Sequence, residues 1–141
     1  MRREIPALVE HYLLEWDSPG WAAAYHSLIE LGPEVLPLLE RRFAESRDRV
    51  FRAAIVGLAC EFHSADSLPL FAAALRDAAP VVWKEALDGL VDLASLESIA
   101  LLEEALKQEP PGRTPTTEWE SWIAEALEQA RLERATRGGV A

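Results

Sequence analysis

One phrase occurs three times in this chain. Trp21-x-x-Ala24-Tyr25-x-x-Leu28 returns as Phe51-x-x-Ala54-Ile55-x-x-Leu58, and again as Trp83-x-x-Ala86-Leu87-x-x-Leu90. A second phrase follows each copy: Leu36-Pro37-Leu38-Leu39 with Phe43, Leu68-Pro69-Leu70-Phe71 with Leu75, and Ile99-Ala100-Leu101-Leu102 with Leu106. The period is about 31 residues, the length of a two-helix unit in a stacked array. Arrays of this kind bind far more often than they catalyse.

The apolar spacing of three and four residues predicts helices throughout. The first covers about residues 4–16, with Ile5, Leu8, Val9, Tyr12, Leu13 and Trp16 on one face. Asp17-Ser18-Pro19-Gly20 ends it, Ser18 serving as cap and Pro19 as first residue of the next helix. Helix A of the first repeat then runs over 19–31 and helix B over 33–45, with Gly32 suited to the left-handed turn between them. The second repeat places its helices over 48–62 and 66–76, and the third over 80–93 and 96–108. The Pro-rich stretch Glu109 to Pro115 cannot be helical. Thr117 and Glu120 form a capping-box pattern ahead of a last helix over 118–135, which does not follow the repeat phrase. The tail from Thr136 is expected to fray. No segment alternates with the period of two that a strand requires.

The reading is therefore a single domain over 1–141: an N-terminal helix (1–18), repeats at 19–47, 48–79 and 80–108, a connector (109–117) and a capping helix (118–136). The fold class is all-α, an α-solenoid of about three helix pairs with an N-terminal helix and a capping C-terminal helix.

The two-phrase unit resembles the HEAT repeat, in particular the short bacterial HEAT-like kind. Beyond the A-helix phrase, the resemblance rests on B helices that open with an acid or small polar residue and carry a proline one turn in. These are Glu34-Val35-Leu36-Pro37-Leu38-Leu39 and Asp66-Ser67-Leu68-Pro69-Leu70-Phe71; the third repeat has Ala100 where the proline would stand. The resemblance covers about residues 19–108. It implies a right-handed solenoid whose B helices line a concave face, and protein binding as its work. Some bacterial HEAT-like proteins instead bind DNA, attach bilins, or neutralise toxins as immunity proteins. No catalytic motif of those enzymes can be matched here residue by residue.

Charge narrows the partners. The formal net charge is −10. Residues 1–52 carry 7 basic and 9 acidic side chains, whereas residues 53–141 carry 7 and 15. So acidic a surface repels phosphate backbones, which argues against nucleic acid. It either serves solubility alone or attracts a basic partner. No run of about 18 apolar residues is present, so no membrane span is expected. The start Met1-Arg2-Arg3-Glu4-Ile5 lacks the apolar stretch of a signal peptide, and the single Cys60 suits a reducing compartment, so a cytoplasmic location is expected.

Candidate site residues fall into groups. Cys60, Glu61, His63 and Asp66 lie close in sequence, but one Cys and one His are too few for a metal site without distant help. Core packing of the thiol is the expected role of Cys60. His11 and His26 lack a nucleophile nearby. Glu85, Asp88 and Asp92 share one stripe opposite the apolar side of their helix, open either to solvent or to a basic partner. Across the B helices, Arg41 aligns with Ala73 and Glu104, Glu40 with Ala72 and Glu103, and Ala44 with Arg76 and Lys107. These positions describe either a small-floored groove with one basic and one acidic wall, or simply good helix formers. Arg41, Arg42, Arg47, Arg49 and Arg52 alternate with Glu40, Glu45 and Asp48, which predicts local ion pairs. Trp21 and Trp83 are expected in the core, and Trp16, Trp119 and Trp122 at the ends.

The expected function is stoichiometric protein binding without catalysis or cofactor, by a molecule for which the monomer is favoured. Its sharpest form is a cytoplasmic immunity protein that blocks a basic toxin or nuclease. A bilin-lyase-like enzyme or enzyme subunit, a DNA-binding protein and a generic adaptor are the alternatives.

Overall fold

The computed structural model describes residues 4–140. Residues 1–3 and 141, the basic start and the end of the tail, lie outside the described residues. Among the described residues, eight α-helices make up most of the structure: α1 (Ile5–Leu13), α2 (Trp21–Leu31), α3 (Leu36–Glu45), α4 (Arg49–Cys60), α5 (Leu68–Leu75), α6 (Pro80–Leu93), α7 (Leu96–Lys107) and α8 (Thr116–Val140). Among the described residues there is no strand, and no helix is long and apolar enough to cross a membrane.

The helix ends follow local chemistry. Asp48 caps α4, its carboxylate accepting the Val50 and Phe51 N–H groups at 2.9 and 3.2 Å, and these bonds hold its pKa below the ordinary value. Ser95 and Ser98 form a reciprocal capping box at the start of α7. Gly32 ends α2 with φ +89°, a conformation that favours glycine.

Several expected boundaries are corrected. The two proline-bearing B helices are not continuous α-helix from their first residue. Pro33–Val35 and Ala65–Ser67 are 3₁₀ turns, and α3 and α5 begin only at Leu36 and Leu68. The reason is the missing N–H of Pro37 and Pro69, which cannot bond back to the carbonyls of residues 33 and 65. The third B helix has no proline there and has no 3₁₀ lead. The first helix stops at Leu13, and α2 starts at Trp21 behind Gly20. Ser18 sits in the turn instead of capping: its hydroxyl donates to the Glu15 carbonyl and accepts from the Gly20 N–H.

The largest correction concerns the last helix. It begins at Thr116, so Thr117 lies in its first turn, and the Pro115 carbonyl accepts the Trp119 N–H. It also continues through the segment expected to fray. Arg137 donates to the Leu93 and Asp92 carbonyls at 3.1 and 2.8 Å, tying the final turns of α8 to the end of α6. Moreover, α8 does carry the repeat phrase. Trp119, Ile123 and Ala126 occupy the positions of Trp83, Leu87 and Leu90, and all six are buried. Accordingly α8 packs on α6 and α7 as α6 packs on α4 and α5. Trp122 disguised the phrase by standing where the three other copies have alanine.

The core runs through these contacts. Its largest fully buried side chains include Leu28, Leu39, Ile55, Phe71, Trp83, Leu102 and Trp119. Trp83 and Trp119 meet edge to face with centroids 4.9 Å apart. Gly89 of α6 faces Phe71 of α5 so closely that a Cβ there would lie 2.3 Å from the ring. Trp21 is only partly buried and stacks edge-on against Trp16, which in turn meets Phe51.

Candidate acidic binding face

The carboxylates of helix α6 lie on one side of the helix, as their spacing predicts, but are not equally exposed. Glu85 lies half-buried in the seam between α6 and α4. Gly57 on α4 leaves room for it: a Cβ there would come within 3.2 Å of the Glu85 Oε1. The Asp92 carboxylate accepts from the His63 Nδ1–H at 2.5 Å, and so links α6 to the turn after α4. Asp88 is exposed and borders the next seam, between α6 and α8. Helical spacing placed the three acids on one side of α6, but the neighbours give each a different surrounding.

Cys60, Glu61 and His63 part company as well. The Cys60 thiol is half-buried and points to the Glu85 carbonyl oxygen at 3.8 Å. Burial, with Glu85 and then Asp88 nearby, pushes it up to about 12, so it is a poor nucleophile at neutral pH. Glu61 accepts the Tyr25 hydroxyl at 3.2 Å, and burial followed by the Glu61 charge pushes that phenol upward. Asp66 lies elsewhere, lining a surface groove with Pro33, Glu34 and Glu40. Among the described residues, no group of three or more His, Cys, Asp or Glu side chains is placed to hold a metal ion.

Burial raises the Glu85 carboxyl, with the Asp88 charge adding to it, and burial raises Asp88. The sign for stability follows. A carboxyl raised in the folded state binds its proton more tightly than in the unfolded chain. Its contribution favours folding below the unfolded pKa and is lost as pH rises through the folded one. At neutral pH the two charges therefore oppose folding slightly. Glu85→Gln is expected to raise Tm by about 1–2 °C at pH 7, with the gain disappearing near pH 3, below the ordinary carboxylate range. Thermal melts at the two pH values check this; an equal gain at both would show that the effect is not electrostatic.

The aligned B-helix positions share their degree of exposure. Arg41, Ala73 and Glu104 are exposed, Ala72 and Glu103 are half-buried, and Arg76 and Lys107 are exposed. Two of them are already engaged within the molecule. Glu103 accepts Arg131 of α8 at 2.7 Å. Arg76 donates to the Glu109 carbonyl at 3.0 Å and stands over the Trp119 ring. The acidic wall expected from Glu103 and Glu104 is thus partly neutralised by α8, whose position against α7 the sequence did not reveal.

The arginine cluster is also corrected. Arg42 pairs with Glu10 of α1, and Arg52 holds Asp77 with a two-pronged contact at 2.8 and 3.1 Å. These partners are distant in sequence, because side chains adjacent along a helix point to different sides. One functional candidate escaped the sequence reading. Trp122, read there as an end seal, is 42% exposed and lines the groove between α6 and α8. An aromatic residue in the alanine slot of the phrase was its signal.

No protein-family model matches this chain, and neither a curated protein nor a solved structure matches it.

Proposed function

We propose that this protein is a HEAT-like helical solenoid that works by stoichiometric binding of a basic protein partner, without catalysis. The reading of a solenoid is supported by the succession of α4, α6 and α8, each packed on the one before, with α5 and α7 beside them. The observation that carries the binding reading is the acidic strip along the A helices. Glu61, Glu85, Asp88 and Glu125 have no Lys or Arg ion-pair partner among the described residues. The raised Glu85 and Asp88 carboxyls mean that a cation brought to them would relieve an unfavourable charge. The sharpest form of this function is a cytoplasmic immunity protein that neutralises a basic toxin or nuclease. Acidic complementarity speeds such an encounter and makes it sensitive to salt.

The experiment is purification of the tagged protein from its native cells at low and moderate salt, with mass spectrometry of what is retained. One basic partner at a 1:1 ratio, released by salt and losing its own activity when this protein is added back, is the expected result. A retained chromophore, or a partner whose activity is unaffected, overturns the inhibitory reading.

A further inference from the structure

The seam between α6 and α8 is a groove of about 240 Å³. That is small beside ligand pockets of roughly 300–1,000 Å³, and suits one side chain better than a cofactor. Its floor is apolar, made by Leu87, Val91 and Ala126. Trp122 lines one wall, and Asp88 and Glu125 supply carboxylates on opposite helices. Gln129 reaches Glu125 at 3.5 Å. Neither carboxylate has a Lys or Arg ion-pair partner among the described residues. The indole already receives a cation: Lys84 Nζ stands 4.3 Å from the ring centroid and also meets Glu118 at 3.6 Å. Lys84 thereby steadies Trp122 beside the groove.

Resting on the reading of a basic protein partner, we infer that this groove seats an arginine side chain of that partner. The chemistry favours arginine over other side chains. Its methylene stem covers an apolar floor, its planar guanidinium lies against an aromatic ring, and its fixed fork of donors suits carboxylates. Lysine supplies the charge without the plane. The complementarity is local: Asp88 and Glu125 line the same groove as the exposed Trp122.

The test uses the full ¹⁵N-labelled chain and a defined probe, the blocked peptide Ac-(Gly-Arg)₃-NH₂, at 0.15 M salt, a Debye length of about 8 Å. Saturable shifts of the Trp122 indole N–H and of the Asp88, Glu125 and Gln129 amides are expected. Ac-(Gly-Lys)₃-NH₂ should bind several-fold more weakly. Trp122→Leu should weaken the arginine peptide by about 3–30-fold. The paired change Asp88→Asn with Glu125→Gln should weaken it by about tenfold, and because both positions are exposed this variant keeps the fold and serves as the check on the first. Shifts centred on Glu103 and Glu104, or equal binding of both peptides, overturn the inference. So do variants that bind as well as the parent. The wider reading is judged separately by the co-purified partner and its inhibition, so either can fail without the other.

Discussion

Trp119→Ala is expected to destabilise the protein by about 3–5 kcal/mol, the range for deleting a large buried aromatic side chain. Trp119 has no exposed surface. Its ring meets Trp83 of α6 at 4.9 Å, and its indole N–H donates to the Ala105 carbonyl of α7 at 3.1 Å. One side chain therefore joins α8 to both of its neighbours. The substitution leaves a cavity and an unpaired carbonyl together. Trp119→Phe keeps most of the packing and loses the hydrogen bond, so it should cost clearly less. Urea unfolding followed by circular dichroism measures both. A loss below about 1 kcal/mol for the alanine variant would mean that α8 is held by its surface contacts instead. A fall in m-value would report α8 detaching before the rest unfolds.

Gly89→Ala sets two effects against each other. In a helix interior alanine is favoured over glycine by about 1 kcal/mol. Here the new Cβ would sit 2.3 Å from the Phe71 ring, and Phe71 is only 1% exposed, so the ring has nowhere to swing. Overpacking of a filled core costs about 1–3 kcal/mol. The clash should win, leaving the variant less stable by about 1–2 kcal/mol. Phe71→Leu alone should also destabilise, but combined with Gly89→Ala it should cost less than the sum. A double-mutant cycle in urea measures that coupling. If Gly89→Ala alone is neutral or stabilising, α5 and α6 are free to separate, and their close approach does not anchor the core.

Much of the helical plan was legible because local and tertiary preferences agree. Pro80, the three-four spacing and the absence of a breaker bound α6 at Pro80–Leu93, where the sequence reading put it. The start of α4 was read at residue 48, which caps it in the structure, and Gly32 marked the end of α2. Errors arose where one residue had two readings. The tail from Thr136 reads as a frayed end, yet Arg137 anchors the helix across to α6 and the backbone stays helical. Trp122 broke the alanine of the phrase, so a fourth copy passed for an unrelated cap.

The candidate face divides in the same way. Periodicity alone put Glu85, Asp88 and Asp92 on one side of a helix and marked Trp83 and its equivalents as core, since a spacing of three and four is a property of the helix itself. It could not say what stands opposite. That Glu85 lies against Gly57, that His63 reaches Asp92 and that Trp122 with Glu125 closes a groove beside Asp88 all depend on how α4, α6 and α8 are set against each other. Burial at those carboxyls comes from atoms more than twenty residues away along the chain, brought near only because each helix must cover the apolar side of the next.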